Sequence, residues 1–201
     1  MPHIPRVLGI DDEGREVLDY LPGEVVDGSV RLLSEAQLVE LVAWTKRLHG
    51  AVADFHHRGP WRYFPIPGAT LIGHNDIAPY NACFDGDQLA GVFDWDLAGP
   101  TTPLDELAFI AWNCVPLNRD VGVDVSAERL RIIAATYGGP PAAEILSHAP
   151  ARIDVMLTGI PAAARAGDAG MANLVALGEP ERSRRSHADM CRRIPAVLDR
   201  L

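Results

Sequence analysis

His74-Asn75-Asp76-Ile77-Ala78-Pro79-Tyr80-Asn81, followed by Val92-Phe93-Asp94-Trp95-Asp96, is the stretch whose reading decides the fold of this chain. The two runs place one histidine, three aspartates and two asparagines close together, with β-prone residues on both sides. Phosphoryl transfer asks little covalent work of a protein: a hydroxyl must be aimed, a divalent cation held on phosphate oxygens, and developing charge neutralised. An Asp carboxylate and an Asn carbonyl are hard donors that suit Mg²⁺, and a separate Asp can orient or deprotonate the hydroxyl. A loop acid with an amide five residues on can flank such a site, and a hairpin turning at 85–87 can close it with Asp94. Singly, each residue also has an ordinary role. Asp76 or Asp96 can cap a turn, Asn81 can sit in a loop, and His74 can be a hydrogen-bonded structural histidine.

Outward from this block, residues 70–73, 81–84 and 89–93 read as short strands, with Asp85-Gly86-Asp87 as the turn of a hairpin. Residues 6–10 and 15–20 form another hairpin around Asp11-Asp12-Glu13-Gly14, whose glycine accepts positive φ. Leu21-Pro22-Gly23 ends it. Ser34 and Gln37 make a capping box, and Leu38, Leu41, Val42, Thr45, Leu48, Val52 and Phe55 share one face of the helix that follows. Three prolines in residues 60–69 predict an irregular connector. Pro103 suits the first turn of a helix burying Leu104, Leu107, Ala108, Ala111 and Cys114, and Ser126 is expected to cap another that ends at Gly138-Gly139-Pro140. Residues 141–201 read as several helices, with breaks expected at Pro150, Pro161, Gly167, Gly170 and Gly178-Glu179-Pro180. His49, His56 and His57 are expected at the surface or its boundary, and Trp44, Trp61, Tyr63 and Phe64 are read as core packing and connector anchors rather than as a wall for a cation.

The chain has 201 residues, 48% of them hydrophobic and 22% charged, enough for a core of its own. No apolar run approaches the roughly 18 residues of a membrane span, and Met1-Pro2-His3-Ile4-Pro5 lacks the pattern of a secretory signal, so a soluble, cytoplasmic protein with no membrane partner is expected. Cys83, Cys114 and Cys191 lack metal-ligand spacing and fit reduced, mostly buried thiols. A net charge of −9 argues against nucleic acid and points instead to small cationic molecules. Arg182, Arg184, Arg185, Arg192 and Arg193 read as the solvated face of a C-terminal helix.

The block 74–96 resembles the aminoglycoside phosphotransferase and choline kinase-like family, which shares the protein-kinase fold. That family's catalytic loop reads His-Gly-Asp or His-Asn-Asp, four residues, then Asn, and its metal loop reads Ile-Asp-Trp-Glu or Ile-Asp-Trp-Asp. The resemblance implies that Asp76 is the catalytic base, that Asn81 and Asp94 hold Mg²⁺, and that His74 orders the loop. It leaves Trp95 as a packed aromatic and Asp96 open between a supporting acid and a substrate contact. Asn75 departs from the commoner Gly, and Asn tolerates positive φ well. Leu104-Asp105-Glu106-Leu107-Ala108 looks like the family's Asp-Leu-Ala element, whose acid is structural. Residues 16–24 look like the hinge between kinase lobes, which places the adenine-binding groups of ATP at the Asp19 carbonyl and the Leu21 N–H.

The fold this implies is α+β and mainly helical: a protein-kinase-like C-lobe over residues 28–201, preceded by a short hinge hairpin, the remnant of an N-lobe, over residues 1–27. The implied reaction moves the ATP γ-phosphate to a hydroxyl of an aminoglycoside-like, choline-like or related small molecule. No Gly-rich phosphate loop precedes the hinge, and the one lysine, Lys46, lies in the long helix. Weak ATP binding and poor transfer by the isolated chain are therefore expected, and the exposed edge of the opening hairpin makes a homodimer an expectation. Two other classes stay open: a metal-dependent phosphoesterase using His74, Asp76, Asp94 and Asp96, and a non-catalytic kinase-like binding or regulatory module.

Overall fold

A computed structural model describes residues 2–57, 59–62, 64, 66–119 and 121–201. It is α+β and mainly helical, as the sequence implies. The opening hairpin pairs β1 (Val7–Ile10) antiparallel with β2 (Glu16–Leu18), and Gly14 closes its turn at φ +78°. The Asp11 carboxylate accepts the N–H groups of Glu13 and Arg15, which organises that turn. The hairpin leaves Val7, Leu8, Ile10 and Tyr20 exposed. Segment 2–5 instead runs along the body: Val92 N–H donates to His3 O at 2.9 Å and the Trp44 indole donates to Pro2 O at 3.2 Å.

Helix α1 (Glu35–Ala51) starts on the capping box, with Ser34 Oγ accepting from Gln37 N and the Gln37 side chain accepting from Ser34 N. Leu38, Leu41, Val42, Thr45 and Leu48 are buried along one face, with Trp44 beside them. The helix stops sooner than its periodicity suggests: Val52 is the C-cap and Phe55 lies beyond it, exposed. His49 corrects the surface expectation outright, being 6% exposed, while His56 and His57 are exposed.

The centre of the chain is built from short strands. Strand β4 (Leu71–Gly73) pairs with β7 (Gly99–Thr101), while β5 (Ala82–Asp85) and β6 (Gln88–Val92) form the expected hairpin, joined by β3 (Glu24–Val25) on the outer side of β5. A 3-10 turn, Pro79–Asn81, leads into β5. Helix α2 (Pro103–Cys114) is capped by Thr102, whose hydroxyl accepts from Asp105 N, with Pro103 in the first turn. It packs against α4, and α1 packs against α3. Leu107, Ile110, Leu130, Ile133, Ile145 and Ile153 are among the side chains of the common core.

The C-terminal helices depart from the sequence reading in three ways. Helix α3 (Val123–Tyr137) begins at Val123, so Ser126 lies inside it, buried, rather than at its cap, and Gly138 ends it at φ +72°. Helix α4 (Ala142–Arg165) runs through both Pro150 and Pro161. A proline in a helix removes the bond to the carbonyl four residues back, yet packing of the apolar face against α2 outweighs that local cost. Helix α5 (Ala169–Ala176) contains Gly170 in its first turn, and α6 (Glu179–Leu198) carries the five arginines, four of them exposed and Arg193 half-buried on Val121 O. Cys83 and Cys114 are buried and Cys191 is exposed.

Candidate active site

Residues 74–78 leave β4 as a loop, and the turn 79–81 swings Asn81 back against it. Asn75 sits at φ +65°, the left-handed conformation its side chain tolerates. Its Nδ2 donates to Leu97 O at 3.2 Å and Gly99 O at 3.1 Å, tying the loop to the segment that follows Asp96. His74 is fully buried and joins the two motifs: Nε2 donates to Phe93 O at 3.0 Å and Nδ1 accepts Asp76 N–H at 3.3 Å. Burial holds its imidazole below the ordinary pKa, against the opposing charges of Glu106 and Asp94. The Trp95 ring lies 4.6 Å from the His74 ring and 6.1 Å from Trp44, so Trp95 is a packed aromatic.

Asp76 is the focus of this arrangement. Its Oδ1 accepts the Tyr80 hydroxyl at 2.9 Å, and its Oδ2 accepts Asn81 Nδ2 at 2.8 Å. The same Nδ2 donates to the Asp76 carbonyl at 3.0 Å, so both hydrogens of the Asn81 amide serve Asp76 and its carbonyl oxygen remains for another partner. Burial pushes the Asp76 carboxyl up to about 6, the Tyr80 and Asn81 hydrogen bonds pull against it, and the charge of Asp94 adds to the rise. That Asp94 influences Asp76 places the two acids in one electrostatic neighbourhood. Asp94 is exposed and sits at φ +62°, a second non-glycine residue in the left-handed region within the same block. The sequence reading did not anticipate that backbone.

Asp96 points away from this cluster to Arg62 of the connector, whose guanidinium also holds the Asp168 carboxylate at 2.9 and 3.1 Å. Asp168 caps α5 by accepting from Met171 N, so Arg62 links the second motif to that short helix. A four-residue transition-metal cage is therefore not what the block builds. Both His74 nitrogens are engaged, Asp96 is ion-paired, and no group of three His, Cys, Asp or Glu side chains placed to hold a metal occurs among the described residues. Trp44 and Phe64 belong to separate apolar clusters, and Tyr63 lies outside the described residues.

Beneath the loop, Glu106 ties the catalytic-loop segment to α1. Its Oε1 accepts Asn75 N–H, and its Oε2 lies 2.6 Å from His49 Nε2; His49 Nδ1 in turn lies 2.8 Å from the Tyr137 hydroxyl. Burial alone would raise the Glu106 carboxyl, but the His49 hydrogen bond and charge, with the Asn75 N–H, leave it below its ordinary value. Arg152, 1% exposed, donates to the Asn75 carbonyl at 2.9 Å from the far side, with its guanidinium 4.6 Å from the Phe109 ring. The acid after Asp105 carried a structural expectation from the sequence. His49, Tyr80, Tyr137 and Arg152 carried none, because their partners lie in distant segments or outside the motif pattern.

Gly73 is where this packing leaves no room. A Cβ there would lie 2.5 Å from Thr101 Cγ2 and 2.7 Å from Glu106 Cδ. Gly73→Ala should destabilise the protein by about 1–3 kcal/mol, the usual cost of overpacking, and a urea melt of the two proteins measures it.

The residues read from the sequence as a hinge lie near Cys83 and Phe93. Asp19 and Leu21 line a cleft of about 500 Å³ with Pro5, Tyr20, Val25, Cys83 and Phe93. The Leu21 side chain rests on Gly91, where a Cβ would meet Leu21 Cδ1 at 2.4 Å. The Asp19 carboxylate is occupied by Arg6, accepting its Nε at 2.8 Å, and the Asp19 N–H donates to Arg6 O at 3.0 Å.

Comparison with known proteins fits this geometry. Residues 60–146 match the model of the phosphotransferase enzyme family. The trifolitoxin immunity protein of Rhizobium leguminosarum bv. trifolii is 33% identical over 140 residues, 66% of this chain and 51% of that protein, so the chain spans about half the length of the curated relative it matches. A crystal structure from Ralstonia eutropha JMP134, of a chain provisionally assigned as an aminoglycoside phosphotransferase, superposes with a TM-score of 0.55 at 16% identity, covering 95% of this chain and 78% of that one. That likeness is one of fold. His74, Asp76, Asn81, Asp94 and Glu106 all lie inside residues 60–146, the segment that matches the phosphotransferase enzyme family.

Proposed function

We propose that this chain transfers the γ-phosphate of ATP to a hydroxyl group of a small molecule. The observation that carries the reading is the setting of Asp76: a carboxylate with a raised pKa, held by Asn81 and Tyr80, lining a cavity of about 350 Å³. A base poised near neutrality and pointing into a pocket suits removal of a hydroxyl proton. In this reading residues 28–201 act as the catalytic lobe of a protein-kinase-like fold, and residues 1–27 supply the hinge. Adenine would bond the Asp19 carbonyl and the Leu21 N–H in the cleft they line.

The donor set fits Mg²⁺. Asn81 has committed its amide hydrogens to Asp76, which leaves a hard carbonyl oxygen, and Asp94 adds an exposed carboxylate in the same neighbourhood. When bound, the ion neutralises charge on the phosphate oxygens. Asn81 and Asp94 would hold it, Asp76 would take the proton of the acceptor hydroxyl, and His74 keeps the two loops in register through Phe93 O. The immunity protein's name speaks of protection against a toxin, and phosphorylating a toxic molecule's hydroxyl is one chemistry that protects.

The test is transfer of label from γ-labelled ATP with Mg²⁺ to a panel of alcohols, in parent and Asp94→Asn proteins. Asn accepts the φ of +62° at this position, so the change removes charge without backbone strain. A loss of about 10²-fold or more is expected, with weaker quenching of Trp95 fluorescence by Mg²⁺. Transfer that persists unchanged in Asp94→Asn would overturn the proposal.

A further inference from the structure

The cavity that Asp76 lines has a wall chemistry of its own. Phe64, Phe109, Met156, Ile160, Met171 and Leu174 are half of its lining residues. Phe64, Ile160 and Met171 form a second apolar cluster, apart from the main core, that spans the connector, α4 and α5. Two of the six are methionines, the side chain that adapts most readily to an irregular apolar guest.

The charged groups on the same wall are already matched. Glu179 spends Oε2 on Arg182 Nη2 at 2.6 Å and accepts Ser183 Oγ on Oε1 at 2.7 Å, both within the first turns of its own helix. Arg152 brings a buried positive charge to the wall, fixed over Phe109 and on the Asn75 carbonyl. Asp76 is the carboxylate assigned to the reaction. An ammonium placed deep in this cavity would leave water, meet Arg152 and find no uncommitted carboxylate among the described residues of its lining except the base itself. The net charge of −9 therefore does not describe this site, since the surplus acids lie elsewhere on the molecule.

We infer that the acceptor is an uncharged alcohol on an apolar body, seated against Met156, Met171 and Leu174 with its hydroxyl on Asp76. The inference rests on the phosphotransfer reading for the direction of the hydroxyl. It replaces the cationic substrate that net charge alone would suggest. A cavity of about 350 Å³ is also at the small end for a ligand site, which suits a compact one- or two-ring alcohol better than a chain of amino sugars.

The experiment compares 2-(4-ethylphenyl)ethanol with 2-[4-(aminomethyl)phenyl]ethanol, which differ by a distal ammonium, and with kanamycin. Binding to the full chain is measured by calorimetry without nucleotide, and label transfer from ATP with Mg²⁺ is measured separately. The neutral alcohol should bind at least about 10-fold more tightly than its cationic partner, a difference that the uncompensated burial of one ammonium readily supplies. Leu174→Glu and Met156→Glu, both at half-buried positions, should invert that preference. Equal or tighter binding of either cation by the parent overturns the inference, as does retention of the neutral preference in both variants. Absence of neutral binding at about 5 mM, weaker than any working acceptor site, overturns it too. If the neutral alcohol binds as expected but accepts no label under any condition, the phosphotransfer reading fails while the ligand preference stands.

Discussion

Replacing Asp76 by Asn should cut phosphoryl transfer by about 10²- to 10⁴-fold while making the metal-free protein more stable near pH 8. The two effects share one cause. Burial raises the Asp76 carboxyl from 3.8 to about 6 in the folded chain, so the folded state holds that proton more tightly than the unfolded state does. Stability from this group is therefore fully present below pH 3.8 and is lost as pH rises through about 6. Above that range the ionised carboxylate costs on the order of 2–3 kcal/mol, which a neutral amide avoids. Asn fits the same contacts, with its oxygen accepting from Asn81 Nδ2 and its nitrogen donating to the Tyr80 hydroxyl. Thermal melts of both proteins without Mg²⁺ should show the variant several degrees higher near pH 8 and the gap closing toward pH 4. A variant no more stable at the higher pH, or one that still transfers phosphate at the parent rate, would refute this account of Asp76.

That arrangement was legible in part from the sequence, and the parts divide by range. Features set by neighbours along the chain could be read: the Ser34–Gln37 box, the turn at Gly14, the hairpin at 85–87 and Asn75 at positive φ each depend on residues a few positions apart. The opening block could be read as chemistry because its spacing is itself local. What could not be read was decided across the fold. Pro150 and Pro161 looked like helix ends, yet α4 continues through both because its apolar face packs on α2. Ser126 looked like a cap, but the helix gains a turn upstream and swallows it. His49 looked like a boundary residue because nothing within four positions pairs with it. Its partners, Glu106 and Tyr137, lie 57 and 88 residues away. The wall of the cavity beside Asp76 is likewise assembled from the connector, α2, α4 and α5, so the pairing of Glu179 with Arg182 and of Arg152 with the Asn75 carbonyl could not be read from net charge averaged over the chain.

Glu106→Ala should be the most destabilising single change near the site, by about 3–5 kcal/mol, the cost of removing one partner from a buried ionic pair. Glu106 is 1% exposed and His49 is 6% exposed, so the truncation leaves the His49 ring and the Asn75 N–H in the interior without their acceptor. That loss is comparable with the whole margin of roughly 5–15 kcal/mol on which a domain of this size stands. Glu106→Gln should lose much less, because its amide oxygen can still accept Asn75 N–H and its amide nitrogen can still bond the His49 ring. The two substitutions also separate on acidification. The folded pKa of Glu106 lies below its ordinary 4.5, so its contribution is present above that value and is lost as pH falls through the folded one. The parent should therefore lose stability on going below about pH 4 more steeply than Glu106→Gln does. Because Asn75 sits at φ +65° one residue before Asp76, releasing its N–H also frees the peptide that aims the base. Residual transfer by Glu106→Gln should accordingly survive better than by Glu106→Ala at temperatures where both remain folded. An alanine variant melting within about a degree of the parent would mean that the loop is held by Arg152 and the Asn75 amide alone.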